Sequence, residues 1–120
     1  MDKAKLNGLM GQVLAFRDER NWKQFHTAKN LAAGAAIEAS ELQELFLWKT
    51  DGEIEAFLRT PEGRTRVGEE LSDVLLYVLL LANHAGIDLE AACKRKLKLN
   101  AEKYPVEKSY NSSLKYTELS

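Results

Sequence analysis

Glu38 and Glu41 form one E-x-x-E, and Glu70 and Asp73 form an E-x-x-D further along the chain. A spacing of three places each pair on neighbouring turns of one helix face. One such pair is usually a solvated surface feature. Phase makes these two different. Glu38 falls in the middle of the stripe formed by Leu31, Leu42 and Leu45, with Glu41 at its edge, whereas Glu44 projects to the polar side. Glu70 and Asp73 align with Val67, Tyr77 and Leu81 in the same way. Acids turned toward an apolar interior are costly unless protons or cations neutralise them. A set of oxygen donors without cysteine or a nearby histidine suits a hard cation, Mg²⁺ first and Mn²⁺ second. Mg²⁺ keeps several waters and commonly bridges protein carboxylates to phosphates, so a phosphate-bearing ligand is expected with it.

The elements that must position these acids read as helices. Leu6, Leu9, Met10, Val13 and Phe16 recur at helical steps and predict a first helix from about Lys3 to Arg20. A polar and aromatic connector, Asn21 to Lys29, leads into a segment rich in Ala, Leu and Glu, expected to be helical from about Asn30 to Lys49. Thr50-Asp51-Gly52 is read as its stop, followed by a short helix from Glu53 to Arg59. Thr60-Pro61 is a cap followed by a first-turn proline, opening a helix that ends near Ala85 at Gly86. Asp88 caps a last helix reaching about Tyr104, where Pro105 forbids continuation. Strand signals are missing, and the expected fold is an all-α bundle of four to five helices. The domain is expected to cover residues 1–105, with residues 106–120 a tail that is extended or ordered on an oligomer.

Composition narrows the function classes. The chain has 120 residues, with 17 basic against 18 acidic, so it carries no broad positive field for a polynucleotide. Its one cysteine, Cys93, cannot form an internal disulfide, which fits a reducing cytoplasm. The longest apolar run, Val74 to Ala82, is too short to span a bilayer, so no membrane association is expected. That run is apolar on all sides of its helix, and in so small a domain this points to a homo-oligomer, tetramer or dimer, that covers part of it.

Several stretches resemble the all-α nucleotide pyrophosphohydrolases of the MazG type, and within them the dCTP-directed branch: ERNWKQFH, EASELQELFLWKTDG, EELSDVLLY, KLKLNAEKYP and the tail KYTEL. The resemblance implies that Glu38, Glu41, Glu70 and Asp73 ligate magnesium, in agreement with their phasing. It implies a nucleotide pocket to which Trp22, Lys23, Gln24, Phe25 and His26 contribute, although Phe25 itself reads first as a core residue. Trp48 would close over the base, Tyr77 would contact the substrate, and Lys96 and Asn100 would approach the phosphates or base. Stacking on an aromatic ring gives a planar base about 1–3 kcal/mol. Val13 stands where animal members of that branch carry a pocket histidine, and a polar contact is lost there.

The implied reaction is hydrolysis of the α–β anhydride of a nucleoside triphosphate, dCTP or a 5-modified dCTP, to monophosphate and pyrophosphate. Glu41, or Glu38 beside it, is the expected general base. Competing readings are a broad house-cleaning triphosphate pyrophosphatase and a non-enzymatic helical oligomerisation module. A di-iron bundle is disfavoured, because neither His26 nor His84 follows a glutamate by three residues.

Overall fold

The structure, a computed structural model, describes residues 3–119; Met1, Asp2 and Ser120, within the expected domain and tail, lie outside them. Among the described residues there is no strand, and six helices follow in order: α1 Lys3–Glu19, α2 Ala28–Glu44, α3 Asp51–Leu58, α4 Pro61–Ala85, α5 Leu89–Lys103 and α6 Val106–Ser109. A single 3-10 turn, Lys23–Phe25, lies in the α1–α2 connector. Among the described residues no single helix is long and apolar enough to cross a membrane. The chain divides into two compact units, residues 1–86 and 87–120.

In the first unit α4 is the element against which α1, α2 and α3 pack, most extensively α2. Capping residues set the helix starts. Thr27 accepts from the Asn30 amide, Thr50 from Glu53 and Thr60 from Gly63, each satisfying an amide that has no partner within its own helix. Gly86 closes α4 at φ 68°, a left-handed conformation that glycine adopts without a Cβ penalty. The core is small: Leu31 and Leu79 are fully buried, with Val13, Leu80 and Ala82 nearly so.

Two boundaries differ from the sequence expectation. Helix α2 ends at Glu44 rather than Lys49, and residues 45–48 form tight turns in which the Leu45 and Phe46 amides bond three residues back, to Leu42 and Gln43. Trp48 then takes φ 65°. Thr50-Asp51-Gly52 is accordingly a start and not a stop. Thr50 and Glu53 form a reciprocal capping box, which requires extended backbone at Thr50 and makes Asp51 and Gly52 the first turn of α3. The helix had to end early enough for the chain to reach that extended cap.

Two glycines permit close approach of backbone. A Cβ on Gly34 of α2 would lie 2.6 and 2.8 Å from ring atoms of Tyr77 on α4. A Cβ on Gly63 would run into the carbonyl of Phe57, where α3 turns into α4.

The second unit is α5, α6 and a 3-10 turn at Tyr116–Glu118. Asp88 caps α5 through the Ala91 amide, and Glu90 pairs with Lys94 at 3.0 Å one turn along. Pro105 stops α5, and its φ of −61° also suits the entry to α6, so the tail begins with a single helical turn that periodicity did not reveal. Tyr104 and Tyr116 meet edge to face with centroids 6.0 Å apart.

Gly34→Ala is expected to destabilise the protein by about 1–3 kcal/mol through overpacking, despite the helical gain of replacing glycine. Tyr77→Leu in that background should restore part of the loss, while Gly63→Ala has no such rescue because it meets backbone. Denaturant midpoints for the single and double variants measure both effects.

Candidate active site

The close packing of α2 on α4 sets the two acid pairs facing one another. Carboxylate oxygens of Glu38, Glu41 and Glu70 all lie within 4.8 Å of one another. Glu38 and Glu70 are half-buried, whereas Glu41 and Asp73 are exposed, so the expectation of four inward acids holds only for one member of each pair. Asp73 is outside the three-acid group but near enough for its charge to act on both Glu38 and Glu70. One turn beyond Glu70 and with a shorter side chain, it faces the adjoining cavity.

Burial, followed by the proximity of Glu41, Asp73 and Glu70, pushes the Glu38 carboxyl up to about 7. Burial and the charges of Glu41 and Asp73 also raise Glu70. The carboxyl groups are close enough to share protons among themselves, yet Oε2 of Glu38 and Oε2 of Glu70 are buried with no hydrogen-bond partner. Orphaned acceptors at the centre of an acidic group are what a small cation would satisfy. The donor set is all oxygen, which suits a hard ion.

A cavity of about 620 Å³ adjoins the cluster, lined by residues of α1, α2 and α4 and of the connector. Glu38, Ser72 and Asp73 contribute acidic and hydroxyl groups, and Phe16, Trp22 and Tyr77 contribute rings. Its apolar lining comes from Leu9, Val13, Leu75, Leu76 and Leu80. Trp22 is held in place from two sides: its amide donates to the Arg17 carbonyl at 3.0 Å, and its ring meets Phe16 edge to face at 5.7 Å. Tyr77 has room to stand in this wall because Gly34 has no side chain.

The remaining connector residues have different placements. His26 lines this cavity and a smaller one of about 170 Å³; its Nδ1 is buried without a partner, and burial together with the Arg17 charge lowers its pKa. Lys23 lines only the smaller cavity. Gln24 donates to the Asn21 carbonyl and so fixes the turn, whose Asn21 has φ 54°. Phe25, expected in the core, is instead 60% exposed, and its carbonyl accepts from Asn30 Nδ2. Trp48 is 98% exposed and lines neither cavity. In the second unit Lys96 is exposed and Asn100 half-buried on α5. His84 is exposed at the end of α4.

Sequence reasoning passed over Gln12, Ser72 and Arg17 as cavity residues. Arg17 had a legible signal: it stands four residues after Val13, on the face of α1 that carries the apolar stripe.

With this geometry in view, comparison with known proteins is informative. The sequence profile of the MazG-like family matches residues 34–119, which span the α2 and α4 acid pairs. The chain belongs to the MazG-like family. It is 45% identical over 104 residues to dCTP pyrophosphatase 1 of Homo sapiens and 43% identical to that of Rattus norvegicus, an alignment covering 87% of the chain in each case. The chain spans 61% of the length of these relatives. A crystal structure of a pyrophosphatase from Archaeoglobus fulgidus matches with a TM-score of 0.78 and 39% identity, covering 88% of this chain and 96% of that one.

The raised Glu38 carboxyl has a testable consequence. Folding holds its proton more tightly than the unfolded chain does, where the ordinary value is 4.5. Stability of the protein in chelator should therefore decline as pH rises from about 4.5 to about 7. Thermal unfolding at pH 5 and pH 8 checks this. Glu38→Gln should flatten the decline, and a divalent cation should raise the melting temperature most at the higher pH, where no proton competes.

Proposed function

We propose that this MazG-like protein is a nucleoside triphosphate pyrophosphohydrolase acting on dCTP or a 5-modified dCTP, with Mg²⁺ as its ion. The observation that carries the reading is that one cavity brings Glu38, a member of the three-acid group, and Asp73 together with the rings of Trp22 and Tyr77. A triphosphate and a base are chemically different ends of one ligand, and this cavity has a matching side chain type for each. The human and rat relatives, named for dCTP, supply the base.

In this reading Glu38, Glu41, Glu70 and Asp73 hold the ion. Once bound, it offsets the charge of the triphosphate and makes water a stronger acid. Water attacks the α-phosphorus, the α–β anhydride bond breaks, and pyrophosphate leaves. Glu41, the exposed member of the three-acid group, accepts the proton of the attacking water, with Glu38 beside it. Trp22 and Tyr77 flank the base, and His26 offers a neutral imidazole as donor. Lys23, Gln24 and Phe25 belong to the same segment and shape it.

Trp48 closes over the base when copies of the chain assemble, as a dimer or tetramer. Its support is an indole 98% exposed on a residue held at φ 65°, with Leu47, Ile37 and Leu71 exposed as well. The near-balanced charge and the single cysteine support a cytoplasmic protein that binds neither polynucleotide nor membrane. Val13, apolar and 7% exposed in the cavity wall, favours a second reading, a broader triphosphate pyrophosphatase with a looser hold on the base.

Incubation with canonical and 5-modified nucleoside triphosphates and Mg²⁺ should yield monophosphate and pyrophosphate, fastest for the cytosine nucleotides. Diphosphate plus orthophosphate would refute the cleavage site. Glu70→Gln should reduce turnover by at least about 100-fold while raising the melting temperature in chelator, since it removes a repelled charge. Unchanged turnover in that variant would remove the acid cluster from the reaction, and no turnover by the unaltered protein would support the oligomerisation module.

A further inference from the structure

Arg17 is the one charged side chain in the core of the described residues, with only 9% of its surface exposed. Its recorded bonds are economical. Nε and Nη2 both donate to a single oxygen, Oδ1 of the neighbouring Asp18, each at 2.8 Å, and Asp18 itself is 57% exposed. A guanidinium has five N–H donors and no acceptor, so the fork retains donors beyond those two bonds. No Arg17 nitrogen is both buried and without a partner, so the spare donors stay reachable by a ligand that enters the cavity. Arg17 lines both cavities, and its carbonyl accepts the Trp22 amide, which places it at the aromatic part of the pocket wall.

We propose that Arg17 is a specificity-determining residue of the nucleotide pocket, its guanidinium donating to a base edge that presents two adjacent acceptors. This rests on the nucleotide reading above and deepens it. Cytosine has such an edge in its ring N3 and carbonyl O2, whereas uracil and thymine carry an N–H at the same ring position. A planar fork matches two adjacent acceptors and confronts an N–H with another donor. A cation held at the acidic cluster would supply the counter-charge of the phosphates, so the contact left for Arg17 is to the base. An arginine whose partners were only structural would weaken all nucleotides alike.

The test is binding of dCMP and dUMP in the presence of Mg²⁺, followed by NMR titration for the wild-type protein, Arg17→Gln and Arg17→Lys. The wild type should prefer dCMP. Arg17→Gln should weaken dCMP by about tenfold, the scale of one bidentate base contact, and dUMP by less than about threefold. Arg17→Lys keeps the charge and most of the packing but loses the fork, and should also lose the preference; it decides the matter if Arg17→Gln does not fold. Equal weakening of both nucleotides, or a preference retained in Arg17→Lys, overturns the proposal. A wild-type protein that binds neither nucleotide overturns it along with the nucleotide reading, while selective binding through Arg17 without pyrophosphate release overturns the hydrolytic activity alone.

Discussion

Everything in the first unit depends on how closely α2 can lie against α4. Gly34 sets that distance, because its missing side chain is the space in which the Tyr77 ring sits. With the two helices held this near, Glu38 and Glu41, one and two turns along from Gly34, come opposite Glu70. The same contact therefore builds part of the cavity wall and concentrates negative charge beside it. Two of the resulting carboxylate oxygens are buried without partners, an arrangement that detracts from folding and makes sense as preparation for a ligand.

The cavity is chemically divided. Its acids and hydroxyl have an apolar and aromatic wall for company, and a cation, Arg17, is buried in that wall. The turn at Asn21 makes the division possible: the chain leaves α1, bonds back to the Arg17 carbonyl and presents Trp22 beside Phe16. Membership of the MazG-like family fits this plan, since its profile covers both acid pairs and the pyrophosphatase from Archaeoglobus fulgidus aligns over nearly its whole length.

Much of the architecture was legible from capping chemistry and periodicity. Thr60-Pro61, Gly86 and Asp88 act locally, through hydrogen bonds and φ preferences that need no tertiary partner, and each marks the boundary it was expected to mark. The end of α2 was not legible in the sequence because Leu45 and Leu47 are good helix formers and no glycine or proline interrupts the run before Thr50. Propensity says which residues tolerate a helix and not where a neighbouring cap will pull the chain out of it. The capping box of Thr50 with Glu53 was there to be read, and Asp51-Gly52 drew attention away from it as a turn signal.

By itself, the sequence determined that the protein is helical, where most helices begin, and which faces of α2 and α4 carry paired acids, since spacing along one helix fixes direction around it. Only the tertiary structure decided that the two acid-bearing faces meet, that Asp73 stands beside the group instead of within it, and that Arg17 is enclosed in the wall. Those are relations between segments far apart in the chain, set by interhelical distance and by what glycine leaves unfilled, and no periodicity within one segment encodes them.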